Sequence, residues 1–135
     1  MRHKRILLVE DDARFRQTFT EALGGALARE RLDVAWVGAA TLEEARERLK
    51  EGGLDAALID VRMPDGDGLE LVGKINHGSG VGSPIQTLVL TAYMDTKVAA
   101  RAMEAGAQGA LSKVVSVEET VAAIKRLTET EHSGA

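Results

Sequence analysis

Ala56-Ala57-Leu58-Ile59-Asp60 is a run of four apolar residues closed by a carboxylate. No polar residue interrupts it, which is the pattern of a strand covered on both faces. Next comes Met63-Pro64-Asp65-Gly66-Asp67-Gly68, dense in turn formers, and then a helical pattern carrying Leu69, Val72 and Ile75. Outward from this unit the same alternation repeats. Upstream, Ile6-Leu7-Leu8-Val9 is a second uninterrupted run, and Phe15, Phe19, Ala22, Leu23, Ala26 and Leu27 then keep helical spacing, predicting a helix over Ala13 to Arg29. Val34 to Val37 reads as a strand. Thr41-Leu42-Glu43-Glu44 is a capping box opening a helix with Leu42, Ala45 and Leu49 inside, ended by Gly52-Gly53. Downstream, Gly78 to Ser83 reads as a flexible connector and Ile85 to Leu90 as a strand. A helix with Val98, Ala102 and Met103 follows, then a short strand at Ala110-Leu111. A second capping box, Ser116-Val117-Glu118-Glu119, opens a last helix lined by Val117, Val121, Ile124 and Leu127.

Five strand–helix units with short connections predict a doubly wound α/β domain: a five-stranded parallel sheet with helices on both faces. The chain's 135 residues suit one such domain. Its core is expected to be aliphatic, because only Phe15, Phe19, Trp36 and Tyr93 are aromatic. The domain is expected over residues 1–127, with 128–135 a polar tail or linker that frays from about Thr130.

Composition excludes several classes of function. Seventeen basic residues against 21 acidic ones leave a net charge of -4, with no basic stripe for nucleic acid. The absence of cysteine removes disulfides, thiolate nucleophiles and Cys-based zinc sites. The N-terminal apolar run is too short for a signal peptide, and nothing approaches a membrane span. A soluble cytoplasmic protein is expected.

In folds of this kind ligands bind beyond the carboxyl ends of the strands. Glu10-Asp11-Asp12 follows the first run, Asp60 the third, Thr91 the fourth and Lys113 the fifth. Singly, each has a plain reading: Asp11 or Asp12 as a helix cap, Asp60 as a turn former, Thr91 as a strand residue, Lys113 as a solvated charge. Together they place carboxylates, a hydroxyl and an ammonium on one rim. Crowded carboxylates repel, and a hard divalent cation with a nearby lysine relieves that repulsion. Such a set suits phosphoryl transfer to a carboxylate. Mg²⁺ and Lys113 would offset charge, the Thr91 hydroxyl would hold a phosphoryl oxygen, and no separate base is needed for attack by Asp60.

At these residues the sequence resembles the receiver domains of two-component response regulators. The matching stretches are Ile6-Leu-Leu-Val-Glu-Asp-Asp12, Leu58-Ile-Asp-Val-Arg-Met-Pro-Asp-Gly-Asp-Gly68, Leu88-Val-Leu-Thr-Ala92 and Ala105-Gly-Ala-Gln-Gly-Ala-Leu-Ser-Lys113. The resemblance spans Lys4 to Leu127 and implies a (βα)₅ flavodoxin-like, CheY-like fold. It implies that Asp60 accepts a phosphoryl group from a sensor histidine kinase or phosphotransfer protein. Asp11 would ligate Mg²⁺ (or Mn²⁺) directly, Glu10 through water, and Asp60 and the Arg62 backbone carbonyl would complete the protein ligands. Thr91 and Lys113 would contact the phosphoryl group. The output would be changed protein contacts, including a homodimer through the last helix–strand–helix face, where Lys97, Arg101, Glu104, Lys125 and Arg126 supply mixed charge.

Several departures from the receiver pattern bear on that output. Ala110 stands where receivers usually carry Tyr or Phe, so the aromatic part of the switch is missing. Val114 replaces the Pro that often follows the lysine, a variation closer to the NarL/FixJ-type regulators of transcription than to the OmpR type. Tyr93, two residues past Thr91, is expected to lie over the site and, with Arg62, to tune how long the phosphoryl group lasts. A degenerate receiver that binds partners without phosphorylation is one alternative. A small aspartyl-phosphate phosphatase is another, but it lacks the second acid at position 62 and any cap segment. Gly78-Ser-Gly-Val-Gly82 precedes a strand, away from the ligand rim, and Asp65-Gly-Asp67-Gly68 lacks the further ligands of a calcium loop. His3, His77 and His132 are too scattered for a metal site.

Overall fold

In the computed structural model, which describes residues 1–78 and 85–129, the chain forms a five-stranded parallel sheet in the order β2-β1-β3-β6-β7. The strands are β1 (Arg2–Val9), β2 (Leu32–Ala39), β3 (Ala56–Asp60), β6 (Gln86–Thr91) and β7 (Gly109–Ser112). Two short strands, β4 (Arg62–Met63) and β5 (Gly66–Asp67), pair antiparallel in the turn after β3. The helices are α1 (Ala13–Arg29), α2 (Leu42–Glu51), α3 (Gly68–His77), α4 (Thr96–Ala105) and α5 (Val117–Glu129).

The uninterrupted runs have a direct cause. Successive strand side chains point to opposite faces, and each face here has its own core. Ile6, Leu8, Ala56, Leu58, Leu88 and Leu90 pack with Leu23, Leu27, Val121, Ile124 and Leu127 of α1 and α5. Leu7, Val9, Ala57, Ile59 and Val89 pack on the opposite face with Leu42, Ala45, Leu49, Leu71, Val72, Ile75 and Ala102 of α2, α3 and α4. The doubly wound expectation is met.

Boundaries differ from expectation where a strand lacks one neighbour. β1 begins at Arg2 rather than Ile6, because Arg2 to Arg5 pair with β2, whereas β3 joins only from Ile6. This half of β1 alternates in burial, as does the edge strand β2 from Leu32 to Trp36, and β2 runs past the expected Val34 to Val37 at both ends. Met103, expected with Val98 and Ala102, is 58% exposed, and Ala102 is the one fully buried residue of α4. α5 carries two residues past Leu127, with Thr128 buried. The tail expected to fray from about Thr130, His132 and most of the Gly78 to Ser83 connector lie outside the described residues; Gly78 itself is the left-handed cap of α3. Among the described residues no helix is long and apolar enough to cross a membrane.

Candidate functional site

The chain reverses its direction of travel across the sheet between β1 and β3, and the ends of these strands open onto a crevice. Glu10 directly follows β1, and Asp60 is the last residue of β3. Both are buried, Glu10 at 1% exposure and Asp60 at 6%. Asp11 is exposed beside them, and one oxygen from each of Glu10, Asp11 and Asp60 falls within 4.8 Å of the others. An all-oxygen set of carboxylates matches the preference of a small hard cation such as Mg²⁺. Asp12 takes the plain role foreseen for it. Its carboxylate caps α1, accepting the N–H groups of Arg14 and Phe15 at 3.0 and 3.1 Å.

Lys113 reaches this cluster from the loop after β7. Its ammonium donates to Asp60 Oδ2 at 2.7 Å and also to Glu10 Oε1. Burial works against the charged ammonium, but the hydrogen bonds to Asp60 and Glu10 outweigh it, so the Lys113 pKa stands above its ordinary value. Glu10 is pushed up as well. Desolvation by burial, joined by Asp11 and Asp60, outweighs the opposing pull of Lys113 and of the Asp12 N–H, which donates at 3.1 Å. One ammonium is thus shared by two buried carboxylates, with the Asp11 carboxylate beside them.

The remaining expected residues surround Asp60. Thr91 is 6% exposed at the end of β6, and its hydroxyl exchanges hydrogen bonds of 3.2 Å with the backbone N–H and carbonyl of Tyr93. Tyr93, 77% exposed, lines a cavity of about 260 Å³ together with Asp60, Arg62, Thr91, Arg101 and Lys113. The Arg62 N–H donates to Asp60 Oδ1 at 3.2 Å while its side chain is exposed. Ala110 lies in β7 opposite Val89, against the core on the α4 side. Of the mixed-charge residues, Arg101 pairs with Asp67 at 2.8 Å and Lys125 with Glu30 at 3.6 Å.

Several contributors carried no signal of their part in the site. Gly68 opens α3 so close to the site that an added Cβ would stand 1.9 Å from the Asp60 carbonyl oxygen. Its N–H donates to the Val61 carbonyl at 2.7 Å. Arg16 donates to the Glu10 backbone carbonyl, fixing α1 to the end of β1. Phe15 places its ring under the Lys113 ammonium, 4.9 Å from the centroid.

Comparison with known proteins agrees with this geometry. Residues 6–125 match the family model of the response regulator receiver domain. The swarming motility regulation protein RssB of Serratia marcescens is 32% identical over 120 residues, 89% of this chain and 51% of RssB. The transcriptional regulatory protein UhpA of Salmonella typhimurium is 32% identical over 119 residues, 88% of this chain and 56% of UhpA. The chain therefore spans about half the length of these relatives. In fold it is similar to the signal receiver domain of the response regulator NarL from Mycobacterium tuberculosis, with a TM-score of 0.81 and 24% identity over 97% of this chain and 100% of that one. The chain belongs to the response regulator receiver domain family.

Proposed function

We propose that the chain is a phosphoryl-accepting switch. Asp60 takes a phosphoryl group from a sensor histidine kinase or phosphotransfer protein, and the modified domain changes its protein contacts. The observation that carries this reading is Lys113 held between Asp60 and Glu10, beside carboxylate oxygens spaced for one cation. An Asp60 carboxylate oxygen forms the new bond to phosphorus as the donor's bond to phosphorus breaks, leaving that electron pair on the donor. Mg²⁺, or Mn²⁺ in its place, would be held by Glu10, Asp11, Asp60 and the Arg62 carbonyl. When bound it offsets the charge of the carboxylate and of the incoming phosphoryl group. Lys113 supplies a fixed positive charge at the acceptor, and the Thr91 hydroxyl, released from Tyr93, donates to a phosphoryl oxygen. Tyr93 and Arg62, on the cavity wall, restrict the approach of water and set how long the group lasts. Catalysis is confined to the domain's own phosphorylation and its reversal.

We assign the residues through the end of α5 at Glu129, two beyond the expected 127, to the receiver unit and those that follow to a tail or to a linker toward an output domain, which in a regulator of transcription would bind DNA. We also propose a homodimer through the α4–β7–α5 face and a cytoplasmic location. The exposed Met103 of α4, a helix that also exposes Lys97 and Glu104, supports that face as a contact surface.

The deciding experiment is incubation with Mg²⁺ and acetyl phosphate followed by intact mass measurement. A gain of one phosphoryl group, lost in Asp60→Asn, is expected. No gain, or a gain that survives Asp60→Asn, overturns the reading.

A further inference from the structure

Three of the chain's four aromatic rings form a file that starts at the site. Phe15 stacks on Phe19 with centroids 5.4 Å apart, and Phe19 meets Trp36 of β2 edge-on at 5.9 Å. At the head of the file the Lys113 ammonium stands 4.9 Å from the Phe15 centroid, with its side chain 16% exposed. Phe15 is half-buried and packs against the edge of the core on the α1 and α5 side, and its ring also meets the ammonium, a contact that core filling does not require.

The contacts around that ring close on themselves. Glu10 accepts the Asp12 N–H, Asp12 accepts the Phe15 N–H, the Phe15 ring faces Lys113, and Lys113 returns to Glu10. The backbone of Phe15 is thereby tied to the carboxylate that its ring helps Lys113 to meet. A lysine head on four rotatable bonds is otherwise loosely placed. An aromatic face attracts the ammonium without offering a hydrogen-bond acceptor, so it holds the charge in place while leaving the N–H groups for oxygen partners.

Resting on the reading of Asp60 as acceptor, we propose that Phe15 is a positioning residue for phosphoryl transfer, its ring face seating the Lys113 ammonium over Asp60. The role belongs to the aromatic face and not to bulk. Phe15→Leu keeps an apolar side chain and loses the quadrupole, whereas Phe15→Tyr keeps both.

Two measurements test it. With Mg²⁺ and acetyl phosphate, Phe15→Leu is expected to label about five- to tenfold more slowly than the parent, with Phe15→Tyr restoring the rate. Labelling of Phe15→Leu at the parental rate, or Phe15→Tyr as slow as Phe15→Leu, overturns the proposal. Independently, the Lys113 ε-methylene protons of the unmodified protein are expected to show an upfield ring-current shift in NMR spectra. Absence of that shift also overturns it, whatever the stability of the variants. If the parent protein itself does not label, the acceptor reading fails, while the ring-current shift still reports whether the ring seats the ammonium.

Discussion

Asp65, in the turn between β4 and β5, accepts the backbone N–H of Leu42 at 2.8 Å, so the segment that follows Asp60 is tied to the first turn of α2. Its second oxygen accepts from Glu43 at 3.0 Å, and the Thr41 hydroxyl takes the N–H of Glu44 at 3.0 Å. The N–H groups of Leu42, Glu43 and Glu44, which the helix cannot satisfy internally, are thus paired. The Leu42 hydrogen bond is the main cause that holds the Asp65 carboxyl below its usual range. Asp65→Ala is expected to lower stability by about 1 kcal/mol at neutral pH, the usual loss for a helix cap. Because the folded pKa is depressed, this contribution is present above the unfolded value of about 3.9 and is lost as pH falls through the folded one. Urea unfolding of both proteins should therefore differ by a constant amount from pH 8 to pH 6 and converge below about pH 4. A difference that does not shrink as pH is lowered further would show that the carboxylate charge is irrelevant.

That bond also marks where reading from sequence stops. The fold was legible because Ile6 to Val9, Ala56 to Ile59 and Leu88 to Leu90 are apolar at every position, a requirement of two-sided burial. Thr41 and Ser116 announced their helices because an N-cap bonds within three residues. The site was legible because one rim collects whatever follows each strand. Asp65 serves a helix that begins 23 residues before it, and its own strands, of two residues each, are too short for any period. The pairing of Phe15 with Lys113 joins the first helix to the last loop, and Met103 is exposed because only a narrow stripe of α4 meets the sheet. These are consequences of packing, and local pattern does not carry them.

Removal of Lys113 should expose the charge imbalance of the site. Lys113→Ala leaves Glu10 and Asp60 buried without the ammonium that bridges them. Breaking a buried pair in this way costs about 3–5 kcal/mol, so metal-free Lys113→Ala should unfold at clearly lower urea concentration than the parent. A cation that binds the folded carboxylates stabilises by mass action. The rise in melting temperature on adding Mg²⁺ should then be larger in the variant than in the parent. An equal or smaller rise would mean that these carboxylates do not form the cation site.

Two glycine replacements should have opposite signs. At Gly68 an added Cβ would fall 1.9 Å from the Asp60 carbonyl oxygen, a backbone atom held within β3. Gly68→Ala must displace either β3 or α3, and a loss of about 3 kcal/mol is expected, together with slower labelling of Asp60. At Gly24, in the middle of α1, an added Cβ meets nothing within 4 Å. Gly24→Ala should stabilise by roughly 0.5–1 kcal/mol through lower unfolded-state entropy and better helix propensity. Chemical denaturation of both variants decides the matter, and equal effects would contradict the close approach at Gly68.

Tyr93 is where lifetime, as distinct from transfer, should be set. Its backbone is held by the Thr91 hydroxyl, and its ring, 77% exposed, borders the cavity that opens on Asp60. A ring in that place obstructs water without touching the carboxylate, so its loss should affect dephosphorylation more than phosphorylation. After donor removal, Tyr93→Ala is expected to lose its phosphoryl group about threefold faster than the parent, a barrier change of roughly 0.6 kcal/mol. Tyr93→Phe should decay at the parental rate, because obstruction depends on the ring and not on the phenol. The initial labelling rate should be unchanged in both. If Tyr93→Ala decays at the parental rate, Tyr93 does not shield the group, and Arg62 on the same wall becomes the residue to replace.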